Sequence, residues 1–169
     1  IRNCTGGTTP CGSWLTCEED TTRAGGGVGR DHGWVFEVPA NAGGLVAAEP
    51  LTAMGRFNHE AAAVDPATGI VYMTEDREDG LLYRFVPTEP GKLERGGRLQ
   101  ALAVRGLKDS RNWQERSISP RRLRDVRWVD LDQVDSPDDK LRRQGAAKGA
   151  TLFARGEGIH MGVGQGGGE

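Results

Sequence analysis

The sequence predicts a mainly β protein, a partial β-propeller of about three to four blades with one helix near residues 137–148. Three observations carry this. Short apolar runs recur at roughly 10-residue spacing with Gly and Asp turns between them. Glycine supplies 26 of the 169 residues, about twice its usual ~7% share, while apolar residues reach 36%. Several runs end in acids (TCEE, TED, RGEG), which a propeller gathers around its central channel. A closed ring needs more blades of about 40–50 residues than this chain holds. The start at Ile1 and the glycine-rich stretch GVGQGGGE point the same way, to an internal fragment, residues 1–169, of a longer propeller domain.

SWLTCEE, GWVFEV, FNHEAAAV, IVYMTED and LLYRFV read as strands, because β-branched and aromatic residues dominate them and Gly/Asp loops bound them. Leu45–Ala48 is a weaker strand in a long connection. HEAAAVDPATGIVYMTED is a hairpin, with Pro66 at the second position of a turn that starts at Asp65 and Gly69 as its left-handed residue. A loop from Pro66 to Gly69 sets Asp65 opposite Ile70 and Glu60 opposite Glu75. Facing carboxylates destabilise a ladder unless a cation or a proton lies between them. A loop one residue longer sets Val64 opposite Ile70 and Glu60 opposite Thr74.

Beyond residue 90, GKLERGGRLQALAV reads as a loop and a strand, and a basic connection leads to a strand near Arg127–Leu131. In SPDDKLRRQGAAKGA, Ser136 is an N-cap, Pro137 the first helical residue, Asp138 and Asp139 complement the positive end of the dipole, and Gly149 terminates. TLFARGEG reads as a further strand.

Charge is uneven. Residues 1–90 hold 6 basic and 13 acidic side chains, and residues 91–169 hold 16 and 11. The net charge of −2 and the mixing of arginines with acids argue against a nucleic-acid binder. No apolar run approaches the ~20 residues that span a bilayer. The spacing of Cys4, Cys11 and Cys17 fits neither a zinc site nor a CxxC redox motif, and its plainest reading is one disulfide plus a buried thiol.

Glu18, Glu19, Glu60, Glu75, Asp76 and Glu157 all follow or interrupt apolar strand residues instead of lying in polar loops. Clustered buried carboxylates call for bound cations. Oxygen donors alone favour a hard ion such as calcium, and a thiolate among them, from Cys4, favours a transition metal.

NCTGGTTPCGSWLTCEE, MGRFNHEAAAVDPATGIVYMTEDREDGLLYRFVP and FARGEG, in this order, closely resemble the PhoX family of bacterial alkaline phosphatases. The resemblance implies a β-propeller phosphatase that holds Fe3+ and Ca2+ in its channel. It also implies folded export through the twin-arginine pathway to the periplasm, the outer membrane or the medium. By motif, it makes Cys4 the iron thiolate ligand, Glu19, Glu60 and Glu75 metal carboxylates, and Glu157 the residue that completes the iron shell. Arg155 then holds the substrate phosphate, Glu18 and Asp76 are secondary ligands or acceptors, and His59 is structural. The implied substrates are small phosphomonoesters, and the implied full-length state is a monomer. Where the family reads TPWG this chain has Cys11, a spare thiol able to pair with Cys17 or to misligate iron. No Ser elbow, P-loop or HExxH helix is present, as expected where a metal-bound oxygen attacks phosphorus. Two rival readings are a noncatalytic, calcium-stabilised propeller that binds a partner and a calcium-dependent lactonase-type propeller.

Overall fold

The computed structural model describes residues 2–164 and 167–168. Eight strands form one hydrogen-bonded sheet: β1 (Asn3–Thr8), β2 (Ser13–Glu18), β3 (Val35–Pro39), β4 (His59–Val64), β5 (Val71–Glu75), β6 (Leu82–Pro87), β7 (Gly97–Val104) and β8 (Val126–Asp130). Their order is β3-β2-β1-β4-β5-β6-β7-β8, and the sheet does not close. All neighbours are antiparallel except β1 and β4, which meet in parallel through Gly6 and Ala61. That one parallel contact separates a three-stranded group from a five-stranded meander. Val163–Gly164 and Gly167–Gly168 pair separately.

The core runs under both groups, with Leu15, Val35, Phe57, Met73, Tyr83 and Phe85 all buried. Each such side chain contributes about 1.5–3 kcal/mol on leaving water. Phe57 stacks between His59 and Tyr83, at 3.5 and 4.2 Å between ring centroids. The helix α1 (Leu141–Ala147) seats Leu141 in the same core. A Cβ on its Gly145 would lie 2.5 Å from Leu81 Cδ1, so glycine inside this helix permits close packing on the meander.

The five predicted strands of the first half form, within one or two residues, and the sixth and weaker one, Leu45–Ala48, does not: it is exposed and unpaired. The sequence reading overlooked β1, whose NCTGGT has little strand propensity. Its glycines are required by crowding on both sides. A Cβ on Gly6 would lie 2.0 Å from Leu15 O, and one on Gly7 1.8 Å from Ala62 O. TLFARGEG is not a strand. Only Leu152 and Phe153 make isolated bridges, to Asp109 and Gly80.

The helix is shorter than the predicted 137–148. Ser136 Oγ does accept the Lys140 N–H, but Asp139 takes a left-handed backbone (φ 52°), which breaks the chain between turn and helix. No disulfide forms: all three cysteines are free, Cys17 buried opposite Cys4 and Cys11 exposed at the β1–β2 turn.

The β4–β5 hairpin contains both anticipated registers. At the turn, Asp65 N–H donates to Ile70 O and Val64 faces Val71, as the four-residue loop requires, with Gly69 at φ 74°. A bulge between His59 and Ala62 then shifts the ladder by one residue. Glu75 therefore faces His59, while Glu60 and Ala61 together oppose Thr74. The facing Glu60–Glu75 pair does not exist, because the extra residue re-aims Glu60.

Candidate metal centre

The β4 bulge has a counterpart. β1 is also irregular, between Cys4 and Gly7, and the two irregularities lie side by side at the Gly6–Ala61 contact. Together they turn Cys4 and Thr5 toward Glu60. The Cys4 thiol and the Thr5 hydroxyl both donate to Glu60 Oε1, each at 3.0 Å. Glu19, just past the end of β2, completes the group: Cys4 Sγ and one oxygen each of Glu19 and Glu60 lie within 4.8 Å of one another.

These groups are crowded and short of positive charge. The Cys4 thiol is pushed up by its bond to Glu60 and then by burial. The Glu19 carboxyl is pushed up by burial and by its contact with Asp76, against the opposing pull of Arg2. Arg2 reaches Glu19 at 3.3 Å, and among the described residues no basic side chain pairs with Glu60. One sulfur and several oxygens at this separation fit a thiophilic transition metal held beside a harder ion.

Arg155 and Glu157 reach this region on the RGEG segment, which lies along the end of β5. Gly156 N–H donates to Glu75 O and the Thr74 hydroxyl donates to Glu157 O at 2.6 Å. The Arg155 guanidinium forms a two-pronged pair with Asp76, through Nε to Oδ1 and through Nη2 to Oδ2 at 3.0 Å. The Glu157 carboxylate is exposed, 3.9 Å from Arg155 Nη2, and stands outside the Cys4–Glu19–Glu60 group.

Glu75 also stands outside it. It is fully buried, with Oε2 accepting from Tyr83 Oη at 2.9 Å and Leu81 N–H at 3.0 Å, and Arg142 Nη1 lies 3.8 Å from Oε1. Burial pushes its carboxyl up to about 7 in spite of those partners. Glu18 points away from Glu19, as alternation along a strand demands. Its oxygens bind His32 Nδ1 and the N–H groups of Gly33 and Trp34, and so anchor the entry to β3. His59 is buried, donates Nε2–H to Gly55 O and is held neutral by desolvation, down to about 3. Cys17 is pushed up to about 12 by burial, so its thiol stays protonated behind the site.

Two residues here escaped the sequence reading. Thr5 helps to hold Glu60. Asn58, buried between β3 and β5, sends Nδ2–H toward Glu19 Oε1 at 3.5 Å and to Asp76 O at 3.1 Å. Its signal was a carboxamide directly before the His59–Glu60 pair of FNHEAAAV.

The family model described as "Alkaline phosphatase PhoX" matches residues 1–167. Among solved structures, the chain is similar to "Pseudomonas fluorescens PhoX in complex with vanadate, a transition state analogue", with 23% identity and a TM-score of 0.61. The match covers 94% of this chain and 37% of that one, so the chain spans little more than a third of its structural relative. No curated protein matches it.

Proposed function

The chain belongs to the PhoX alkaline phosphatase family, and from that membership we propose that the whole protein is a metal-dependent phosphatase that releases inorganic phosphate from phosphomonoesters. The observation that carries this reading is the convergence of Cys4 and Glu19, from the β1–β2 hairpin, with Glu60 of β4, beside an arginine able to meet an anion. Cys4, Glu19 and Glu60 would hold Fe3+. Glu157 is the remaining carboxylate of the set, and Ca2+ would take oxygen donors alone. The bound metals would supply charge neutralisation and an activated oxygen nucleophile.

The protein's own part is positioning. Arg155 offers a planar, permanent charge that matches two oxygens of a phosphate dianion. Thr5 fixes the Glu60 carboxylate, and Cys17 keeps the floor of the site dry. Glu75 takes a different role from the one its motif implies. Enclosed by Tyr83, Leu81 and Arg142, it would hold the end of β5, and with it Asp76, in place. The two strand groups would be parts of blades in a larger propeller, three to four blades by sequence spacing. Among the described residues no helix is long and apolar enough to cross a membrane, and the whole protein would act outside the cytoplasm as a monomer.

The test is elemental analysis of the full-length protein together with turnover of a chromogenic phosphate ester. Iron and calcium should copurify, and Cys4→Ser should lose both iron and turnover. A protein that binds calcium without iron and hydrolyses no phosphate ester would reject the reading in favour of a calcium-stabilised binding propeller.

A further inference from the structure

We propose that Asn58 is a positioning residue of the metal centre, one that holds Asp76 and Glu19 in place before a cation binds. The inference rests on the reading of this cluster as a metal site. Three segments meet here: Glu19 follows β2, Asp76 follows β5, and Glu60 lies two residues beyond Asn58 on β4. The Glu19 and Asp76 carboxyl groups are in contact, and like charges at that range repel one another. Something other than the carboxylates must therefore keep them together in the folded chain.

Asn58 is placed to do this. It is 2% exposed, its carbonyl accepts the Asp76 N–H at 3.1 Å, and its Nδ2 donates to the Asp76 carbonyl at 3.1 Å. Asp76 is thus gripped on both sides of its Cα. The same Nδ2 lies 3.5 Å from Glu19 Oε1, a long contact that presents the positive end of the amide dipole to the carboxylate. A primary amide nitrogen carries two diverging hydrogens, one for each acceptor, whereas a hydroxyl carries one and a carboxylate none. That is a physical reason for asparagine at this position. Arg2 Nη2 meets Glu19 Oε1 at 3.3 Å, but from a side chain 67% exposed, and such a pair contributes little. Both donors act on Oε1, and among the described residues no N–H reaches Oε2, the oxygen left open to a cation. One short segment, Asn58–Glu60, thereby carries one carboxylate of the centre and the fastener of two others.

Removing a partner that orients metal ligands typically costs about 10–100-fold in metal affinity. In the metal-loaded full-length protein, Asn58→Ala should therefore speed loss of metal to EDTA, followed by elemental analysis, by at least about tenfold. An unchanged rate would overturn the proposal, even if the variant unfolds at lower urea, because a purely structural role moves stability alone. A second measurement needs no variant. Hydrogen exchange of the peptide that contains Asp76 should stay slow in the wild type after its metals are stripped, since Asn58 and not the cation holds that N–H. Fast exchange there in the metal-free wild type would overturn the proposal as well. If the wild type hydrolyses no phosphate ester, the phosphatase reading fails, while the exchange and metal-loss measurements still decide the role of Asn58.

Discussion

Glu60 and Glu75 lie on paired strands, both almost fully withdrawn from water, and the protein treats them in opposite ways. Glu75 has a phenol and a backbone N–H on Oε2 and a guanidinium 3.8 Å from Oε1. Among the described residues Glu60 receives only a thiol and a hydroxyl, and its neighbours are another carboxylate and a sulfur. Burying a carboxylate without compensation costs several kcal/mol. Glu75 Oε1 has no hydrogen-bond partner of its own among the described residues and its carboxyl is pushed up to about 7, so the first region answers burial by holding a proton, and the second calls for a cation. A shared motif style, an acid near the end of an apolar strand, does not imply a shared role.

The largest expected effect tests this contrast directly. In the full-length protein, Cys4→Ser and Glu60→Gln should each lower phosphate-ester turnover by about 10³-fold, equivalent to several kcal/mol, and should deplete iron. Glu75→Gln should keep its iron. Equal iron loss in all three variants, by elemental analysis, would erase the distinction between the two carboxylates.

Gly7→Ala comes next. Its Cβ would fall 1.8 Å from Ala62 O, where backbone must move to make room. A loss of about 3 kcal/mol in urea unfolding is expected, with separation of Cys4 from Glu60. Tyr83→Phe leaves the Glu75 carboxylate without its side-chain donor and should cost about 2 kcal/mol by the same measurement, with no change in metal content.

The smallest effect is the most diagnostic. The folded state holds the Glu75 proton up to about pH 7, against 4.5 for the free group, so its contribution to stability falls as pH rises from about 4.5 to 7. His59 resists protonation down to about 3, against 6.5, so its contribution rises with pH from about 3 to 6.5. Between about 4.5 and 6.5 the two slopes, each up to about 1.4 kcal/mol per pH unit, oppose one another. Glu75→Gln should therefore uncover a rising slope in that window. An unchanged profile in denaturant titrations at several pH values would show that Glu75 is not a buried acid.

Much of the strand placement along the chain was legible because each apolar run carried its own boundary: the Asp65–Gly69 turn, the Gly/Asp loops and the β-branched interiors. The helix boundary was misread because Ser136, Pro137 and the two aspartates satisfy local capping rules, while Asp139 is bound by Arg77 and Arg142 in a conformation no helix permits. β1 was missed because its glycines answer to Leu15 O and Ala62 O on the two neighbouring strands and not to strand propensity. The same holds for Asn58, whose partners lie on two other segments.

By itself, the sequence determined which residue types could carry metal chemistry and where strands would begin and end, because turn conformations and apolar periodicity act over a few residues. Only the tertiary structure decided which acid would serve which purpose. Two adjacent bulges, one in β1 and one in β4, steer Glu60 toward Cys4, while the rest of the hairpin leaves Glu75 facing Tyr83 and Arg142. A one-residue register shift reverses the face a side chain presents, and that shift comes from how separate strands pack, which no local stretch of chain encodes.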